Sequence, residues 1–125
     1  EPGAPVLHVT RVRYVDDEPI AIERIALPAD LVPDLVPTDM ESGNLYQLLR
    51  KRYGITVSDA VQTMEPAVTN PEQAELLDVP VYAPILQIER LTRDTTGRLV
   101  ELTNSVYRGD RYRLTTHLRF DDQSG

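Results

Sequence analysis

Between Leu7 and Val15 polar and apolar residues alternate as in a strand, so Leu7, Val9, Arg11, Arg13 and Val15 fall on one face. Two guanidiniums among apolar neighbours do not describe a fully solvated face. They form a cationic fork whose paired donors suit a phosphate or a carboxylate. A second run places Ala21, Glu23, Ile25 and Leu27 on one face, apolar except for a single carboxylate. A three-residue loop at Asp16-Asp17-Glu18 would set Arg13 opposite Ala21, Arg11 opposite Glu23 and Val9 opposite Ile25, whereas a two-residue loop would mix the faces. The favoured register gathers both arginines and Glu23 on one side of a sheet, where the carboxylate can accept from a sugar hydroxyl or an amine. The plainer alternative is a cross-strand ion pair worth about 0.2–1 kcal/mol. Further along, Leu99, Glu101, Thr103, Ser105 and Tyr107 share a face. Glu101 and Tyr107 can therefore join the same cleft, or Tyr107 can be a core aromatic with its hydroxyl at the rim. The pattern by itself leaves both open.

The elements that must position these residues follow from the punctuation of the chain. Val6–Val15 and Ile20–Leu27 read as a β-hairpin. Pro28, Pro33 and Pro37 each lack a backbone donor, so 28–37 is a loop or at most one helical turn. Ser42 or Asn44 can cap a helix with Leu45, Leu48 and Leu49 on one face, and Gly54 ends it. A third strand spans Ile55–Val68, and Asn70-Pro71-Glu72 starts a short helix through Leu77. Three more strands are expected over Ile85–Thr92, Leu99–Tyr107 and Tyr112–Phe120, joined by Asp94-Thr95-Thr96-Gly97 and Arg108-Gly109-Asp110. In the second of these turns Gly109 is free to take a positive φ. The order is β-β-α-β-α-β-β-β, an α+β antiparallel sheet with its helices expected on one face.

Composition narrows the function classes. At 125 residues one domain is expected, and no apolar run approaches the ~20 residues of a membrane span. With 20 acidic and 13 basic residues the net charge is −7, which repels a phosphate backbone, so this chain is not expected to be a DNA reader. Without cysteine there is neither a disulfide framework nor a thiolate metal site. His8 and His117 have no paired spacing and read as surface or core residues rather than metal ligands, and no cofactor is indicated. Met40 and Met64 read as core filler, and Asp121-Asp122-Gln123-Ser124-Gly125 as a frayed end. The opening Glu1-Pro2-Gly3, without an initiator Met, suggests a domain of a longer protein, and the lack of secretory features points to the cytoplasm.

Four motifs stand in one order: Thr10-Arg11-Val12-Arg13, Glu18-Pro19-Ile20-Ala21-Ile22-Glu23, Asn44-Leu45-Tyr46-Gln47-Leu48-Leu49 ending at Tyr53-Gly54, and Gly97–Glu101 followed by Tyr107–Tyr112. Together they resemble the UTRA domain, the effector-binding domain of GntR/HutC-type bacterial transcription regulators. The resemblance implies a chorismate-lyase-like fold, a homodimer, a small-molecule effector held in a cleft against the sheet, and DNA contact only through a winged helix-turn-helix domain on the N-terminal side. It also implies anion contacts at Arg11, Arg13 and Asn44, and ring contacts at Glu23, Tyr46, Glu101 and Tyr107, for an effector such as a phosphorylated amino sugar. Asn44 departs from the Ser usual in members that sense such sugars. Two other readings compete, a chorismate-lyase-like enzyme using Arg and Glu on the same fold, and a dimerisation module without a ligand.

Overall fold

The two N-terminal runs fold as expected into a hairpin, but the turn between them is shorter than the pattern suggested. In a computed structural model describing residues 3–41 and 44–121, β1 (Val6–Val15) and β2 (Glu18–Pro28) are joined by Asp16 and Asp17 alone. Both aspartates have positive φ, 50° and 66°, the geometry whose twist matches that of the flanking strands. Val15 pairs with Glu18 and Tyr14 with Pro19, after which Arg13 pairs with Ala21. The residue left over, Ile20, is a β-bulge, and it restores the register that a two-residue turn would otherwise have mixed. Arg11 thus stands opposite Glu23 and Val9 opposite Ile25. Ser42 and the terminal Asp122-Gln123-Ser124-Gly125 lie outside the described residues.

After β2 the proline-rich stretch forms two short 3-10 turns, Ala29–Leu31 and Pro37–Met40, and then α1 (Leu45–Tyr53). Asn44 caps α1 by accepting from the backbone N–H groups of Tyr46 and Gln47, and Gly54 closes it at φ 68°. β3 (Val57–Val68) leads into α2 (Pro71–Leu77), where Asn70 and Gln73 cap each other's backbone. β4 (Pro84–Asp94) and β5 (Leu99–Arg108) complete one antiparallel sheet in the order β1-β2-β5-β4-β3.

The helices pack on opposite faces, not on one. Val9, Ile25, Leu27, Leu49 and Ile55 form one core with the 3-10 residues Val32, Leu35 and Met40, while Ile22, Leu77, Ile85 and Val106 form a second beneath α2. Alternation requires this, because Ile22 and Val106 point away from the face that carries Ile25. No helix among the described residues is long and apolar enough to cross a membrane.

The expected sixth strand does not form within the chain. Residues 112–121 make no strand pair among the described residues. The reason is topological: a strand following β5 by a tight turn would have to pair with β5, and β2 and β4 already occupy both its edges. Met64, expected in the core, is 37% exposed on β3, whereas Met40 is buried.

The turn after β5 owes its glycine to crowding rather than to a positive φ. The Gly109 N–H donates to the Pro84 carbonyl at 2.8 Å, and a Cβ at this position would lie 2.8 Å from the same oxygen. Arg108, largely buried, donates to Asp110 and pairs with Glu18, and its guanidinium holds the Asp110 carboxyl below the usual carboxylate range. Gly109→Ala is expected to lower the unfolding free energy by about 1–3 kcal/mol, because the opposing atom is backbone and cannot turn aside. Chemical denaturation of the two proteins, compared at equal slope, measures it.

Candidate effector cleft

One face of the sheet carries an apolar and a polar set side by side. Val9, Ile25 and Leu27 of β1 and β2 bury against Leu49 and the 3-10 turns, Arg90 of β4 and Glu101, Thr103, Ser105 and Tyr107 of β5 lie across the sheet from those two strands, and Arg11, Arg13 and Glu23 continue β1 and β2 toward their turn. The alternation read from the sequence sets this pattern, and the strand order brings its parts together.

Glu23 lies at the centre of the cationic end. It is 9% exposed and accepts from Arg11 Nη2 at 3.0 Å and Arg13 Nη1 at 3.3 Å, so two guanidiniums share one carboxylate and leave an excess of positive charge. Arg11 also donates through Nη1 to the Met40 carbonyl at 3.0 Å, which ties the fork to the last 3-10 turn. Its Nε is buried without a hydrogen-bond partner among the described residues. Arg13 is the more exposed of the two and stands at the rim.

Glu101 is the second acid, 2% exposed on the central strand. Its Oε1 accepts from the Tyr46 hydroxyl and the Thr92 hydroxyl, each at 2.8 Å, and its Oε2 accepts from the Thr103 hydroxyl. Three hydroxyl donors from α1, β4 and β5 thus satisfy a carboxylate that burial would otherwise penalise heavily. Arg90 Nη2 lies 3.8 Å from Oε2, and the guanidinium sits 6.0 Å from the centre of the Tyr46 ring. The Asn44 cap sets the first turn of α1, and that turn brings Tyr46 down onto Glu101.

Glu23, Tyr107, Arg90, Gln62, Ile88, Thr103 and Ser105 line a hollow of about 70 Å³, which Glu101 adjoins only through its bonded partner Thr103. Of the residues expected from sequence, Arg11, Arg13 and Glu23 are hydrogen-bonded together, Tyr46 is hydrogen-bonded to Glu101, and Tyr107 shares the hollow with Glu23. Asn44 stands apart from this hollow, exposed, with its side-chain oxygen occupied by two N–H groups of its own helix; its amide NH2 remains a donor. A larger hollow of about 420 Å³ lies on the opposite face beside α2, lined by Arg24, Glu65, Gln73, Glu89 and Asn104 among others. It contains none of the expected residues and no comparable set of buried acids. Among the described residues no group of three His, Cys, Asp or Glu could hold a metal ion.

Arg90 is the site residue that sequence reasoning passed over. The signal was present: Leu86, Ile88, Arg90 and Thr92 alternate onto one face, so Arg90 is a guanidinium in an apolar row just as Arg11 and Arg13 are. Its Nε is also buried without a partner among the described residues.

Burial pushes the Tyr46 and Tyr107 hydroxyls above the ordinary phenol value, with Glu101 and Glu23 respectively reinforcing the shift. A phenol whose folded pKa exceeds its unfolded value keeps its proton longer in the native state, so the stability it contributes is present below the unfolded value near 10 and is lost as pH rises above it. Alkaline titration of the folded protein followed at 295 nm is expected to show two of the six tyrosines ionising late. Tyr46→Phe should remove one of the two.

The sequence matches the UTRA domain family over residues 1–113. It is 36% identical over 110 residues to the HTH-type transcriptional repressor NagR of Bacillus subtilis (strain 168), covering 88% of this chain and 45% of that protein. With the mannosyl-D-glycerate transport/metabolism system repressor MngR of Escherichia coli (strain K12) it shares 30% identity over 116 residues, 91% of this chain and 47% of the other. The crystal structure of the effector domain of PhnF from Mycobacterium smegmatis superposes with a TM-score of 0.84 at 31% identity, covering 94% of this chain and 72% of that one. The chain therefore spans a little under half the length of the two curated relatives.

Proposed function

The chain belongs to the UTRA domain family, and from that premise we propose that it senses an anionic, sugar-derived metabolite in the cleft between Glu23 and Glu101. The observation that carries this reading is the convergence on one sheet face of three guanidiniums, Arg11, Arg13 and Arg90, with two buried carboxylates. The chorismate-lyase-like fold, five antiparallel strands with two helices, is shared with the PhnF effector domain. The named relatives are transcriptional repressors and the structural neighbour is a regulator's domain rather than an enzyme, which sets sensing above lyase chemistry.

Within the cleft the roles divide by chemistry. Arg11 and Arg13 offer the planar paired donors that a phosphate or carboxylate accepts, and Asn44, which stands apart from the hollow, adds its NH2 only for a ligand that extends to the start of α1, where the helix dipole favours an anion. Glu23 and Glu101 accept from ring hydroxyls or an amine, and Tyr46 and Tyr107 give flat surfaces with a hydroxyl at the edge. MngR is named for a sugar acid derivative, which agrees with a site combining cationic and hydroxyl-accepting groups. A hollow of about 70 Å³ holds only a few atoms, so a sugar phosphate is admitted by turning aside the half-exposed Arg13 and Arg90 side chains and by exchanging the Glu23 pairing of the arginines for pairing with the ligand. In the whole protein such a ligand would act by favouring one of two arrangements of a homodimer, whose DNA contacts are made by a winged helix-turn-helix domain on the N-terminal side of this one.

Titration calorimetry with glucosamine 6-phosphate on the wild-type domain and on Arg11→Ala tests the assignment. A loss of at least about tenfold in affinity is expected, since a charge-assisted bond contributes roughly 1.5–3 kcal/mol. Glu23 also pairs with Arg13 at 3.3 Å, so its charge is still matched when Arg11 is removed, and unchanged affinity in a variant with wild-type circular dichroism would remove the fork from the site.

A further inference from the structure

Arg90 differs from the other two guanidiniums of the cleft in what holds it. Arg11 donates to the Met40 carbonyl and to Glu23, and Arg13 donates to Glu23, whereas Arg90 makes no hydrogen bond among the described residues. The acid beside it, Glu101, stands 3.8 Å away at Oε2 and already accepts from three hydroxyls, so Arg90 is not what keeps that carboxylate buried. The Arg90 Nε is buried with no acceptor among the described residues, a cost that folding alone does not explain. The side chain is 40% exposed and its guanidinium rests 6.0 Å from the centre of the Tyr46 ring, so a turn of its outer torsions breaks no hydrogen bond.

The sheet places Arg90 across the cleft from the fork. β5 runs between β2 and β4, and its Thr103, Ser105 and Tyr107 line the hollow from below. Glu23, holding Arg11 and Arg13, stands on one side, and Arg90 with its β3 neighbour Gln62 on the other. The strands that carry Glu23 and Arg90 are two spacings apart, ~10 Å. A ligand whose phosphate occupies the fork therefore meets Arg90 with its far end, and a hexose-sized chain spans the gap.

Donors dominate that far side. Arg90 can offer Nε and one Nη in parallel, Gln62 can turn its amide NH2 inward, and the Tyr107 hydroxyl keeps its proton because burial raises its pKa. An ammonium group on the ligand would meet the like charge of Arg90, and a hydroxymethyl group would leave the Arg90 pair of donors half used. A carboxylate accepts from both nitrogens at once, and its flat shape suits a hollow of about 70 Å³ better than a second tetrahedral phosphate does.

We propose that Arg90 and Gln62 form a second anion position, and that the ligand of this cleft is a phosphorylated sugar acid, its phosphate on Arg11 and Arg13 and its carboxylate on Arg90. The inference rests on the reading of the cleft as the site of an anionic sugar derivative and names the class of ligand within it.

Titration calorimetry of the full chain with 6-phosphogluconate and with glucitol 6-phosphate, which differ only in a carboxylate against a hydroxymethyl group at the first carbon, reads the second position directly. The acid is expected to bind at least about tenfold more tightly, the gain from one charge-assisted pairing. Arg90→Gln leaves Glu101 its three hydroxyl donors and should bring the two affinities together. Arg11→Ala acts on the phosphate that both ligands share, so it should weaken both and keep their ratio. Gln62→Ala, at an exposed position of β3, is the variant least able to disturb folding and should reduce the ratio without abolishing it. Equal binding of the two ligands by the wild type, or a preference that survives Arg90→Gln, would overturn the second position, and weakening of both by Arg11→Ala would then leave the anion reading of the cleft in place. Binding of neither, with glucosamine 6-phosphate still bound, would overturn the sugar-acid assignment alone. Binding of none of the three would overturn the reading of the cleft and this inference together.

Discussion

Both edges of β5 are hydrogen-bonded, to β2 on one side and to β4 on the other, and most of what distinguishes this domain follows from that pairing. A strand in the middle of a sheet is shielded laterally, so whatever it points toward a covered face is withdrawn from water. β5 points Glu101, Thr103 and Ser105 to that face, and all three are buried. A buried carboxylate there is tolerated only because donors come from both neighbours in space: Thr92 from β4 and Tyr46 from α1 complete what Thr103 begins.

That face gives two tasks to different residues. The apolar set, with Leu49 and Leu27 almost wholly buried, supplies the area that holds α1 and the 3-10 turns on the sheet. The polar set contributes less to folding, because each charge it desolvates must be matched before any gain is realised. A sheet built this way keeps the buried acids of the candidate cleft on its strands, while the groups at the rim, Arg13 and Arg90, remain half-exposed. Sharing one carboxylate between two arginines has a further effect. The one carboxylate is more than matched by the two guanidiniums, so a positive excess remains at this point of the face.

The same central position of β5 governs what happens outside the cleft. With its edges taken, the chain beyond Arg108 must leave the sheet, and the tight corner at Gly109 against Pro84, closed by Arg108 and Asp110, fixes the direction in which it leaves. Two free edges remain, β1 and β3, and they carry opposite charge. Overall net charge of −7 therefore conceals a basic edge near the cleft and an acidic one across the sheet.

Residue pattern alone determined which side chains share a face: Arg11, Arg13 and Glu23 on the hairpin, Glu101 and Tyr107 on the later strand, and the capped starts of α1 and α2 at Asn44 and Asn70. These are local properties, set by the two-residue period of a strand and by side chains that bond their own backbone, and they hold wherever the strand is placed. Tertiary structure decided the rest. The strand order set Arg90 beside Glu101, sent α1 and α2 to opposite faces and denied the chain after β5 a partner within the sheet. The bulge at Ile20 let a two-residue turn keep the faces in register. Such outcomes depend on which edges are already occupied and on which backbone atoms approach one another, and neither is encoded in the alternation of any single strand.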